Sequence, residues 1–424
     1  MIAKKFSKKG LNLKTLFSFI GELYSTGKMT EFSSFLYWEI KYQLGFYKNK
    51  YINIFNTKEL VVINSLDSVD IGENSILNRS PIKWLMLFTI EDGTIYGSLC
   101  DKPNVLYVYR ENSLKEVHSF SEKIKGIYIS NASIIFICSS GKIYKADQTL
   151  QFEMVLELTL NKSYFWRNNG FTEDNSGTLF IGEYVVDWTN NKCHFGAYLY
   201  YSEDQGATWL RSDFLKRIGV NKHIHIVKWS TLLNSLILAD GDNKKKLWIN
   251  KSKNYDKIAK SPLDGWVDLT GRHINKGGYT AMVETNKEII FGSDYLGGTN
   301  FIIKTKDMLK FEYQVIPDPY RRGLFRNMVR TNYKGKLLIW ANSYSAYNKK
   351  SKSLIMVSID AGISWGKVIE YDGTQIEVII LNNSGSTLKE LYLEIRNKNK
   401  ESIITTINTE DFSDSNENNS INQN

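Results

Sequence analysis

A chain of 424 residues that is 42% hydrophobic and 13% aromatic can bury a large core, and its 25 Tyr and 21 Phe favour strands. The formal net charge of +9 comes mainly from Lys scattered among Asn-rich loops, with no compact stripe of Arg, so no nucleic-acid partner is expected. Cys100, Cys138 and Cys193 are widely spaced and odd in number, which excludes a disulfide framework or structural zinc and leaves buried free thiols.

The N-terminus is basic (Lys4, Lys5, Lys8, Lys9, Lys14), but the apolar run Leu16 to Ile20 is short and Glu22 interrupts it. That is a poor secretory signal, and no run of 18 apolar residues exists to span a membrane, so a cytoplasmic location is expected. Over residues 11–47, Leu13, Leu16, Phe17, Ile20, Leu23 and Tyr24 recur at helical spacing, as do Phe32, Phe35, Leu36, Ile40 and Leu44. Two helices are predicted, separated near Ser25 to Thr30. With nine Lys against three Glu in the first fifty residues, they can lie peripherally on an anionic membrane, or pack on the rest of the chain or a partner.

From Tyr51 onward the text is short strands divided by turn signals, as in an all-β array. Two octamers stand out: Ser202-Glu203-Asp204-Gln205-Gly206-Ala207-Thr208-Trp209 and Ser358-Ile359-Asp360-Ala361-Gly362-Ile363-Ser364-Trp365. Each reads as a hairpin turn in which Asp accepts backbone N–H bonds, Gly takes a left-handed conformation and Trp packs on the core. They begin 156 residues apart, three steps of 52, and degenerate copies fall at Asn250 to Lys257, Lys304 to Phe311 and Lys145 to Phe152. Apolar runs with polar tips recur at the same interval, from Gly93-Thr94-Ile95 through Gly177-Thr178-Leu179 to Gly335-Lys336-Leu337.

The expected fold is an all-β, six-bladed β-propeller with a short N-terminal helical extension. It becomes seven-bladed if the strand-rich flanks, Tyr51 to Asp70 and Gln375 to Asn408, jointly add a blade. The domains are then a basic helical extension over 1–50, the propeller over 51–408 and a disordered tail over 409–424.

In a propeller the inner strands line a central channel and ligands bind where strand tips converge. The tips supply Glu183 with Tyr184, Asp242, Asp294 with Tyr295, and Asn342. His223-Ile224-His225 is a His-x-His on a strand, so both rings project to one face, where they can bind a metal, act as acid or base, or hold a substrate hydroxyl or carboxylate. Arg167 and Arg326 each precede an inner strand and offer planar forks for a carboxylate. Arg321 and Arg322 are expected on an exposed loop.

The octamers resemble the Asp-box, or BNR repeat, of the sialidase-like β-propellers, and the run from Arg167-Asn168-Asn169-Gly170 to Gly292-Ser293-Asp294 is similar to that of BNR-repeat glycosyl hydrolases. The resemblance implies carbohydrate as the ligand class. The early Arg-Ile-Pro of true sialidases is replaced by Arg79-Ser80-Pro81, so it does not imply sialidase activity itself. The first reading is a glycoside hydrolase-like enzyme acting on a bacterial polysaccharide or acidic sugar. Its catalytic residues would be Glu183, Asp242, Asp294 and His225, and its substrate-binding residues Arg167, Tyr184, His223, Tyr295, Arg326 and Asn342, with no metal or cofactor. A His225, Tyr184 and Arg326 set instead suits a polysaccharide lyase. The other reading is a non-catalytic propeller binding glycan or protein in surface-polysaccharide assembly.

Overall fold

The computed structural model describes residues 12–25, 29–71, 75–189, 192–220, 223–241, 245–270, 278–295, 297–333, 335–346, 350–383 and 389–412. The chain divides into two compact units, Met1–Tyr51 and Ile52–Asn424. In the first, helix α1 (Leu13–Ser25) starts where Asn12 Oδ1 accepts the Thr15 N–H at 2.8 Å, and helix α2 is Met29–Gln43. Gly45, at φ +77°, ends α2: its N–H reaches the Tyr42 carbonyl and that of Phe46 reaches Lys41. Phe19 meets Phe32 edge-on at 5.2 Å, and Trp38 is buried beside Tyr47.

Among its described residues the second unit is a seven-bladed β-propeller. Blades one to six open with the inner strands Trp84–Thr89, Ile124–Ile129, Phe171–Glu173, Ile224–Ser230, Tyr279–Glu284 and Leu324–Tyr333, and each continues outward through three antiparallel strands. The seventh blade holds Ile376–Ile380, Glu390–Asn397 and Ser402–Asn408, and its outer strand is Asn78–Arg79, which precedes blade one in sequence. The flank from Tyr51 therefore does not share in that blade. Asn53–Ile63 instead runs parallel to Ser364–Tyr371 as a fifth strand on blade six. Thr409–Phe412, placed in the tail by the sequence, forms a turn that buries Phe412 against Trp340 at 5.2 Å, and the rest of that segment lies outside the described residues.

Burial follows strand position. Second strands such as Ser235–Asp240 and Ile289–Ser293 are buried at every residue because blades pack on both their faces, whereas the edge strand Ser113–Ser119 is mostly exposed and carries Lys115 and Glu116. The core is a series of inter-blade layers, such as Trp84, Leu87, Ile379 and Tyr392 between blades seven and one. That layer, more than the closing strand, completes the ring: a hydrogen bond nets about 1 kcal/mol, a buried large apolar side chain about 1.5–3 kcal/mol. Cys138 is buried, which pushes its thiol up to about 12, whereas Cys100 is exposed, contrary to expectation.

Both octamers adopt one geometry. Gln205 and Gly206, like Ala361 and Gly362, have positive φ, the conformation of a tight hairpin that twists with its strands. Asp204 accepts from Ser202 Oγ, Thr208 N–H and Thr208 Oγ1 at 2.6–2.9 Å, and Asp360 repeats the pattern with Ser358 and Ser364. Each turn tucks its glycine against the preceding blade. A Cβ on Gly206 would lie 2.5 Å from Phe136, and one on Gly362 2.9 Å from Ile290. The Thr208 and Ser202 bonds hold the Asp204 carboxyl down at about 2. Its folded value lies below the unfolded one, so its contribution is present above about pH 4 and fades as pH falls toward 2. Asp204→Ala is predicted to lower the thermal midpoint by about 2 °C at pH 7. Wild type and variant should converge in acid, as differential scanning calorimetry across pH can check.

Candidate functional site

The first turn of the channel is set by a repeated irregularity. In blades one, two, four, five and six the pairing of the first two strands slips at the same place: after Trp84, Ile124, Ile224, Tyr279 and Phe325. A β-bulge bends the strand and re-aims the extra side chain. In blades four, five and six that residue is His225, Thr280 and Arg326, and all three line one cavity of about 280 Å³. Tyr184 and Asp294, from the ends of second strands, come to the same rim, with Leu324 and Phe325.

Blade three contributes differently. Before its inner strand, Arg167–Asn169 makes a single 3₁₀ turn that crosses the channel. Asn169 donates to the Thr280 carbonyl of blade five at 2.9 Å, and Asn168 to Met328 of blade six at 3.1 Å. Arg167 donates to Ile380 of blade seven at 3.4 Å. Gly170 permits the turn, since a Cβ there would sit 2.3 Å from the Trp166 nitrogen. Arg167 itself is held at φ +44°, a conformation that costs a non-glycine residue free energy.

Arg167 and Arg326 enter the cavity in different states. Arg326 is ion-paired with Glu377, which also binds Arg396, and its guanidinium lies 3.8 Å from the centre of the Tyr344 ring. Arg167 is largely buried and, among the described residues, has no carboxylate at ion-pair distance. Its contacts are the long Ile380 bond and the face of Trp166 at 5.5 Å. Burial and neighbouring Arg326 pull it down to about 10, so it remains charged at neutral pH. Among the described residues Trp166 Nε1 is also buried without a hydrogen-bond partner. Two donors thus stand with little to bind, which costs free energy until an acceptor arrives.

The opposite wall is aromatic. Trp166 stacks on Tyr184 (4.5 Å), Tyr184 on His223 (4.1 Å), and His223 beside His225 (4.9 Å). His223 Nδ1 faces the Val185 carbonyl at 2.8 Å and His225 Nδ1 faces that of Tyr279 at 3.2 Å, so each carries its proton there. Their Nε2 atoms are 3.1 Å apart, and a hydrogen bond between them requires one further proton. Gly241 covers this pair, where a Cβ would fall 2.6 Å from His225 Nε2.

The predicted site residues divide. Arg167, Tyr184, His225, Asp294 and Arg326 meet in the cavity, with His223 behind Tyr184. Glu183 does not. It is fully buried within its blade, where one oxygen accepts from the Thr159 N–H and hydroxyl and from Ser163 Oγ, the other from Tyr200. Asn342 is likewise buried, bonded to the Val378 carbonyl and Tyr371, and Tyr295 packs on Gly298 outside the cavity. The polar tips are therefore two kinds of position, because neighbouring residues at a strand end face opposite ways. Asp242 lies outside the described residues. Arg321 is buried, not exposed, and bonds Asp318 and Thr299. Sequence reasoning missed Trp166 and Thr280 as site residues. Thr280 was detectable, since Tyr279-Thr280-Ala281 occupies the place of Ile224-His225-Ile226 and Phe325-Arg326-Asn327. Among the described residues no group of three or more His, Cys, Asp or Glu is placed to hold a metal ion.

No family profile matches the chain, and no curated protein does. Solved structures are similar in fold. A chain of a mitotic checkpoint complex is 10% identical with a TM-score of 0.49, over 84% of this chain and 100% of that one. A gluconolactonase from Xanthomonas campestris is 10% identical with a TM-score of 0.39, over 62% of this chain and 84% of that one. The GH74 enzyme of Niastella koreensis is 14% identical with a TM-score of 0.41, over 64% of this chain and 43% of that one.

Asp240 is fully buried, one oxygen accepting from Trp248 Nε1 at 3.2 Å and the other without a hydrogen-bond partner among the described residues. Burial pushes its carboxyl up to about 7, against the pull of that indole bond. A folded value above the unfolded one means the folded state holds the proton longer, so stability is lost as pH rises from about 4 to about 7. Asp240→Asn is predicted to gain thermal midpoint relative to wild type between about pH 5 and 8. A difference that stays constant with pH would contradict this.

Proposed function

We propose that this chain is a carbohydrate-active propeller of the sialidase-like, BNR-repeat kind that takes an acidic sugar unit into the channel-mouth cavity and cleaves it by β-elimination. The observation that carries this reading is Arg167, a largely buried guanidinium without a carboxylate partner among the described residues, aimed into a cavity that also holds Tyr184 and His225. A guanidinium fork suits a sugar carboxylate, and the Trp166–Tyr184 stack offers a flat apolar face for a pyranose ring.

In such an elimination the C–H bond beside the sugar carboxylate breaks and His225 takes the proton. The electron pair forms a carbon–carbon double bond, the glycosidic C–O bond breaks, and the departing oxygen leaves with a proton from Tyr184. Arg167 stabilises the negative charge that builds on the carboxylate as the C–H bond opens. Hydrolysis by two carboxylates has less support. It needs them about 5–9.5 Å apart across the bond, and both Glu183 oxygens are engaged inside the blade. The pairing of Arg326 with Glu377 leaves a single guanidinium uncommitted, which favours glycan binding without turnover as the second reading.

The test is to incubate the full chain with uronate-containing oligosaccharides and follow the ultraviolet absorbance of the unsaturated product. Elimination should appear, fall about 10²–10⁴-fold in Tyr184→Phe and His225→Ala, and persist in Glu183→Gln. Reducing ends released without that absorbance, and lost in Glu183→Gln, would establish the hydrolase instead. Thermal stabilisation by the oligosaccharide without product would establish the binding propeller.

A further inference from the structure

The N-terminal unit carries apolar surface that its own packing does not use. On α1, Leu13, Phe17 and Tyr24 are 73%, 70% and 78% exposed. Their spacing of four and seven residues places them on one face, as a period of 3.6 requires. Leu36, Ile40 and Leu44, four residues apart along α2 and just past its end, are 40%, 56% and 68% exposed. The inward contacts of the hairpin, Phe19 on Phe32 and Trp38 on Tyr47, are made by other residues. Contiguous exposed apolar rows of this kind mark an interaction surface.

The charge around the rows selects the occupant. Residues 1–50 contain nine Lys, three Glu, and no Arg or Asp. A second copy would bring the same positive charge to the interface and be repelled, whereas an anionic bilayer attracts each lysine with about 1 kcal/mol near its surface. At 13 and 15 residues neither helix is long enough to span a bilayer, and no described helix is long and apolar enough to do so. Short amphipathic helices with apolar rows and flanking lysines lie in the interface, burying those rows among the headgroups and upper acyl chains.

We propose that the N-terminal helical hairpin docks this protein on an anionic lipid surface through the Leu13–Phe17–Tyr24 and Leu36–Ile40–Leu44 rows. This does not depend on the channel-site reading. The test is co-sedimentation of the full chain with phosphatidylcholine vesicles, with and without phosphatidylglycerol, at low and high salt. The chain should pellet with the anionic vesicles, at least about ten-fold less with neutral ones, and less at high salt. Phe17→Glu/Ile40→Glu should abolish pelleting while leaving the thermal midpoint of the propeller unchanged. Equal pelleting with both vesicle types, or pelleting that survives the double variant, would overturn the proposal. So would a dimer seen by light scattering that the double variant dissolves, in a chain that ignores vesicles.

Discussion

The site depends on one arrangement: a guanidinium carried to the channel on a turn that three other blades hold in place. Arg167 sits in a left-handed conformation, and the two residues that follow it, Asn168 and Asn169, are bonded to blades six and five. Leaving a cation mostly out of water with a single 3.4 Å bond is unfavourable, and the ring pays that cost through the hydrogen bonds that over-determine the turn. The same turn fixes Trp166, so the cation and the aromatic wall are presented as a unit. An acidic ligand would relieve the cation and the unpartnered Trp166 indole together.

The rest of the cavity comes from repetition. A bulge at one position recurs in five of the inner strands, and blades four to six use it to line the cavity with His225, Thr280 and Arg326. Four second strands carry at or near their ends a polar residue that turns into the blade: Glu183, Asp240, Ser293 and Asn342 are all fully buried. Each is tied to its own or the next blade, Glu183 to Ser163 and Tyr200, Ser293 to Asn300, Asn342 to the Val378 carbonyl. The residue that follows, as in Tyr184 and Asp294, faces the rim instead. Scaffold and site thus alternate along one strand, and a shift of one residue separates them.

That alternation decides how much the sequence disclosed. The octamers around Asp204 and Asp360 made the blade array legible, because a turn with its own hydrogen bonds is a local device that spacing reveals. The helices over 13–25 and 29–43 were legible from their period. The seventh blade was legible in the strand-rich run over 375–408, but the strand that closes it was not, because Asn78–Arg79 is two residues long and pairs with a strand more than 320 positions away, at Thr405 and Thr406. In the site, Arg167, His225 and Arg326 were legible from their place before or within inner strands. Glu183 misled because a carboxylate at a strand tip looks alike from either face, and only Thr159, Ser163 and Tyr200, distant in sequence, show where it points.

The central claim is that the Arg167 guanidinium selects a ligand by its carboxylate. Calorimetric titration of the full chain with glucuronate and with glucose, in wild type and Arg167→Met, tests it most directly. Glucuronate should bind at least about ten-fold more tightly than glucose, a difference of about 1.4 kcal/mol, and the variant should lose the preference. Equal affinity for the two sugars, or a preference for glucuronate that survives Arg167→Met, would contradict the account.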